Sequence, residues 1–112
     1  MRIDGAEWRK VLGLVGLGAR GRLTVVGVEQ VRSAALRGKL VYAIVASDAS
    51  KHSLKKVVPM LTAKGIGFVE GPSADELGRA VGKDSAAVVG VVDSQLASGL
   101  RKIVDQGSSG AR

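Results

Sequence analysis

The sequence predicts an α/β protein, a three-layer α/β/α sandwich around a four-stranded mixed sheet. Three observations point there. Hydrophobic residues make up 46% of the chain and aromatics only 3%, so the core must be built from Val, Leu, Ile and Ala, as in strands covered on both faces. LVYAIVA (40–46) and AAVVGVV (86–92) are apolar runs of strand length without polar alternation, the mark of buried strands. Around them, a helical pattern is followed by strand and helix alternating four times. A chain of 112 residues suits one domain, expected over 1–106, with GSSGAR (107–112) as a flexible tail.

The first helix is carried by AEWRKVLGLV, where Trp8, Val11, Leu12 and Val15 recur at helical spacing. Leu23-Thr24-Val25-Val26 is a short β-branched strand that Gly27 ends. VEQVRSAALRG follows as a helix with Val28, Val31 and Ala35 on its apolar stripe, Glu29 complementing the N-terminal dipole, Arg37 in the last turn and Gly38 as its stop. Residues 40–46 form the best candidate for a central strand. Ser47-Asp48-Ala49-Ser50 offers N-caps for a helix through about Lys64, which Pro59 should kink or split. Gly65 terminates it, and GFVEG (67–71) is a short strand. Ser73-Ala74-Asp75-Glu76 reads as a capping box opening a helix to Ala80 or Val81, with Gly82 as its end. The last strand is 86–92, and Asp93 or Ser94 caps a final helix reaching about Val104.

Gly16-Leu17-Gly18-Ala19-Arg20-Gly21 matches the dinucleotide fingerprint G-x-G-x-x-G letter for letter. Its chemistry needs a preceding strand, a following helix and an acid about 20 residues on. Here a helix precedes it, and no acid lies between Glu29 and Asp48. The glycines read instead as close packing and a helix stop, with Gly18 or Gly21 as the left-handed cap. There is no P-loop pattern, and no cysteine for a disulfide or a thiolate metal site. His52, the only histidine, sits among Lys51, Lys55 and Lys56 on a helix face with no metal-ligand spacing. Asp48 and Asp93 follow strands, where catalytic acids are found, but helix capping accounts for both. Tyr42 and Phe68 lie inside apolar strand runs and read as core. No enzyme, cofactor or metal is expected. No signal segment or membrane span is apparent, so the expectation is a soluble, cytoplasmic chain.

The net charge is +7. Residues 1–56 carry eleven Lys and Arg against four acids, whereas 57–112 carry six against six, so the excess lies in one half, as expected of a phosphate-facing surface. Its richest section surrounds the junction of the first strand and second helix. A helix N-terminus there would offer unpaired N–H groups to phosphate, flanked by Arg20, Arg22 and Arg32, while Glu29, Gln30 and Ser33 are placed to read base edges.

Over about residues 10–104 the chain resembles the L-seven-Ae / L-thirty-e family of ribosomal and kink-turn-binding proteins, including its short bacterial YlxQ-like members. The resemblance rests on GARGRLTVVGVEQVRSAALRGK (18–39), VASDAS (45–50), VVPMLTAKGIGFVEG (57–71), DELGRAVGK (75–83) and AAVVGVVD (86–93), in that order and spacing. It implies an α-β-α sandwich docking on a sharply bent RNA. The start of the second helix, marked by a G-x-N-E-x-x-K type motif, would meet tandem sheared G·A pairs, and a loop before the last strand would cover an extruded nucleotide. Gly27 matches the motif glycine, with Val28 next to it. Glu29 stands where the motif has Asn, or Glu in bacterial relatives. Gln30 replaces the usual Glu and Ser33 the usual Lys, with Arg32 as a neighbouring cation. Lys83, Asp84, Ser85 and Ala86 correspond to the second contact loop. The implied function is non-catalytic binding of kinked or bulged RNA by a monomer, with the ribosome as a candidate host. The alternative is a ribosome-associated protein-interaction module making nonspecific RNA contact.

Overall fold

In the computed structural model, which describes residues 5–110 and their side chains through Asp105, β4 runs opposite to the other three strands. The order is α1 (Gly5–Arg20), β1 (Thr24–Val26), α2 (Val28–Leu36), β2 (Tyr42–Val45), α3 (Lys51–Ala63), β3 (Gly67–Glu70), α4 (Ala74–Ala80), β4 (Val88–Val91) and α5 (Ser94–Gly110). The sheet order is β1-β4-β2-β3. β1 pairs antiparallel with β4 (Thr24 opposite Val91, Val26 opposite Val89), β4 antiparallel with β2 (Val88 opposite Val45), and β2 parallel with β3 (Ile44 opposite Val69).

The alternation of side chains along a strand divides the core. Tyr42, Ile44, Val89 and Val91 pack with Val11 and Val15 of α1, Leu77 of α4, and Ala97 and Leu100 of α5. Ala43, Val45 and Val88 pack with Val31, Ala34 and Ala35 of α2, and Val57 and Leu61 of α3. The layers are therefore α1, α4 and α5 on one side and α2 and α3 on the other, the expected sandwich. All four residues of β2 and of β4 are buried, which is why both runs lack polar alternation. Both strands are shorter than those runs, although single bonds continue the pairing, from Val41 N–H to the Val91 carbonyl (2.9 Å) and from Ala46 N–H to the Ala87 carbonyl (2.8 Å).

Four helices end in the same way. After α2, α3 and α4, the residue in the left-handed region is Gly38 (φ 71°), Gly65 (φ 67°) and Gly82 (φ 78°), with paired backbone bonds such as Lys39 N–H to Ala34 and Gly38 N–H to Ala35. After α1 the same pattern occurs, Leu23 N–H to Gly18 and Arg22 N–H to Ala19, but the left-handed residue is Arg22 (φ 61°). The expected cap at Gly18 or Gly21 is thus corrected. Gly18 is needed elsewhere, since a Cβ there would collide with Leu96. Gly21 falls one position before the residue that must turn.

Of the two alternatives at Pro59, the split is excluded, and the expected end of the last helix is revised. Pro59 does not split α3, which is continuous through Ala63; Pro59 is exposed, so the carbonyl one turn earlier that lacks its N–H partner lies on the solvent side. The last helix does not stop near Val104 but continues to Gly110, because Gly107 only weakens a helix and no proline ends it. Residues 107–110 of the expected tail are therefore helical, and 111–112 lie outside the described residues.

Gly90 faces the α2 layer, where a Cβ would lie 2.5 Å from Leu40 Cδ1, 3.0 Å from Val25 Cγ2 and 3.1 Å from Val31 Cγ2. Gly90→Ala should therefore lower stability by about 1–3 kcal/mol through overpacking. Urea unfolding measures this, and an unchanged midpoint would show that β4 and α2 have slack between them.

Candidate nucleic-acid interface

Because β4 is reversed, the carboxyl ends of β1, β2 and β3 and the amino end of β4 meet at one edge of the sheet. The starts of α2, α3 and α4 gather there together with the loop entering β4. Hydrogen bonds join the pieces: Gly27 N–H to the Val88 carbonyl (2.9 Å), Gly71 N–H to Val45 (2.7 Å) and Ser47 N–H to Pro72 (2.8 Å). Clefts outside strand carboxyl ends are the usual binding places of open α/β sheets.

The helix starts at this edge differ in one respect. Ser50 caps α3, its Oγ accepting from Ser53 N–H (3.1 Å). Ser73 and Glu76 form the expected capping box on α4, and Asp48 adds to it by accepting from Ala74 N–H (2.7 Å). Asp93 likewise caps α5, at the opposite edge, accepting from Leu96 N–H (2.8 Å). α2 has no side-chain cap. Its N-cap, Gly27, has φ 96° and ψ 159°, a conformation open in practice only to glycine, and nothing lies within 4 Å of where its Cβ would be. The first-turn N–H groups of Val28, Glu29 and Gln30 have no protein acceptor among the described residues, so the positive end of the helix is open to an anion.

Around this tip, Glu29 and Gln30 are exposed, while Val28, Arg32 and Ser33 are half-buried. Glu29 Oε2 lies 3.5 Å from Lys56 Nζ on α3. Arg32 Nη1 donates to the Lys56 carbonyl (3.3 Å), so the guanidinium ties α2 to α3. Of the second loop, Lys83, Asp84 and Ser85 are exposed; Ala86 is buried and donates its N–H to the Ala74 carbonyl (3.0 Å). Gly78 lets this loop lie directly on α4, since a Cβ there would fall 2.6 Å from Ser85 N. Between α2 and α3 is a shallow apolar recess, too tight to admit a water molecule, lined by residues including Val28, Ala49, Leu54 and Ala87.

Arg20 and Arg22 are not at this tip. They precede β1 and Gly27 follows it, and at 3.3 Å per extended residue roughly 15 Å of chain separates Arg22 from Gly27. Arg20 lines a separate groove of about 280 Å³ between α1 and α4, with Gly16, Arg79 and Gly82. The basic half of the sequence thus divides between two edges: Lys51, Lys55 and Lys56 lie on the helix beside the α2 tip, and Arg20, Arg22 and Lys39 lie at the far end. Sequence reasoning missed Lys56 as the partner of Glu29, a contact between two helices that carries no signal of spacing.

GLGARG lies within α1 and the turn after it, with Gly16 packed where a Cβ would be 3.0 Å from the Ala80 carbonyl oxygen, so it leaves a helix rather than a strand. Among the described residues, no group of three or more His, Cys, Asp or Glu is placed to hold a metal, and no helix is long and apolar enough to cross a membrane. Tyr42 is buried under the Arg101 guanidinium, 5.3 Å from its ring centre. Burial, reinforced by Asp105, raises its pKa against the lowering effect of Arg101. Tyr42 is therefore part of the core, as expected.

The molecule is an α/β/α sandwich whose second helix starts without a side-chain cap at the edge where the loop into β4 enters the sheet. The chain belongs to the ribosomal protein L7Ae/L30e/S12e/Gadd45 family, whose model matches residues 10–100. It is 33% identical over 107 residues to the RNA-binding protein YlxQ of Bacillus subtilis (strain 168), covering 92% of this chain and all of that one. Among solved structures it is similar to a protein of unknown function from Bacillus halodurans C, with a TM-score of 0.81 and 35% identity over 86% of this chain and 97% of that one. The Giardia lamblia 15.5kD RNA binding protein has the same fold, with a TM-score of 0.80 and 23% identity over 95% of this chain and 91% of that one.

Arg22 holds a left-handed backbone in which a Cβ costs about 1 kcal/mol or more. Arg22→Gly should therefore raise stability by about 1 kcal/mol in urea unfolding. A loss would mean that the arginine side chain contributes more to the end of α1 than its backbone conformation costs.

Proposed function

We propose that this protein is a non-catalytic RNA-binding protein that recognises kinked or bulged structured RNA of the kink-turn type. The observation that carries the reading is the uncapped first turn of α2, whose N–H groups have no protein acceptor among the described residues, at the edge where Gly27 N–H holds the Val88 carbonyl at the end of the loop into β4. The relatedness to an RNA-binding protein over 92% of the chain supports it. An A-form major groove is too narrow for a helix end, so the target must be bent or irregular where α2 enters.

In this reading the backbone at Gly27 and Val28 holds a phosphate, and Glu29, Gln30 and Ser33 meet base edges. Arg32 fixes α2 against α3. Lys83, Asp84 and Ser85 contact an unstacked nucleotide resting on the apolar recess, with Ala86 anchoring the loop. Arg20 and Arg22 would reach only an RNA stem continuing along β1 to the far edge, adding charge attraction without sequence preference. The reading extends to a cytoplasmic monomer whose RNA is ribosomal or rRNA-like.

Gln30→Ala should weaken binding to a kink-turn RNA about tenfold, equivalent to 1.4 kcal/mol, while leaving an equal-length duplex unaffected. Filter binding of both RNAs measures it. Equal losses, or equal parent affinities for both RNAs, would support the nonspecific module instead.

A further inference from the structure

We propose that the exposed N-terminal face of α3, bearing Lys51, His52 and Lys55, is a second RNA-binding wall that holds the phosphate backbone of the strand leaving the α2 tip. This rests on the α2 reading and extends it to a surface that the sequence motif does not include.

The charge on this face is one-sided. α3 contains no acid, and Lys51, His52 and Lys55 are all exposed in its first two turns. Past these residues the exposed positions Pro59, Thr62 and Ala63 are neutral, and the next exposed cation, Lys64, stands at the far end of the helix. Cations near a helix N-terminus also oppose the helix dipole, so they weaken α3 where they stand. The charge comes from side chains, since Ser50 already caps the helix.

The two acids nearest α3 face other elements. Asp48 is engaged with Ala74 N–H of α4, and Glu29 is paired with Lys56, which turns toward α2. The same Lys56 contributes its carbonyl to Arg32, so α2 and α3 are cross-linked with their starts side by side at one edge. A strand whose phosphate sits on the Val28–Gln30 amides and whose base rests on the recess at Leu54 would next pass over α3. Its phosphates would meet these cations within the same edge.

The test is the salt dependence of binding to a kink-turn RNA by the full chain. Each lost phosphate contact reduces the log–log slope by about 0.7–0.9, so Lys51→Gln with Lys55→Gln should lower it by roughly 1.5. The control is Lys64→Gln with Lys102→Gln, which removes the same charge from exposed positions away from the α2 tip, at the far end of α3 and on α5 across the sheet, and should leave the slope unchanged. An unchanged slope in the α3 variant, or equal drops in both, would overturn the proposal. If Gln30→Ala weakens the bent RNA while the α3 variant keeps its slope, only the α3 wall fails. If Gln30→Ala has no effect, the α2 reading fails and takes this proposal with it.

Discussion

The bond from the Gly27 N–H to the Val88 carbonyl, 2.9 Å long, joins the two halves of the binding edge. It forms because β4 returns antiparallel to β1 and places its first residue beside the end of that strand. Gly27 can make it and still start α2 only at a positive φ that other residues avoid. The same bond ties the end of the loop before β4 to the start of α2, so one backbone contact sets the spacing between the open helix end and the strand that this loop enters.

The surrounding packing keeps that edge in place. Alternate residues of β2 and β4 bury into separate layers, which fixes the depth of α2 and α3 on one side and α4 on the other. α3 and α4 satisfy their first turns with Ser50, Ser73 and Glu76. A side-chain cap is worth about 1 kcal/mol over an apolar residue at the same place, and a glycine only a few tenths less than the best caps. α2 can therefore go without one at little cost to the fold while keeping its donors free for a ligand.

Much of this was legible in the sequence. The apolar runs at 40–46 and 86–92 identified the inner strands because both their faces are covered, and Ser73 with Glu76 announced the start of α4 because a capping box is entirely local. The reversal of β4 was not legible, since its apolar pattern is the same in either direction. Arg22 was hidden by competing glycines: Gly16 and Gly18 are used for helix packing, and the turn falls where neither stands. The position of Gly27 and Gln30 at the tip followed from local order along the chain. The removal of Arg20 and Arg22 to the far end depends on the length of β1 between them and Gly27. The pairing of Glu29 with Lys56 depends on two helices lying side by side, which no spacing within either helix encodes.

Amide chemical-shift mapping during titration with a kink-turn RNA tests the account most directly. The largest shifts should fall on the N–H groups of Val28, Glu29 and Gln30, with a second set at Lys83–Ser85. Shifts centred on Arg22, Gly38 and Arg101, with the α2 first turn unmoved, would place the RNA at the opposite edge of the sheet and contradict it.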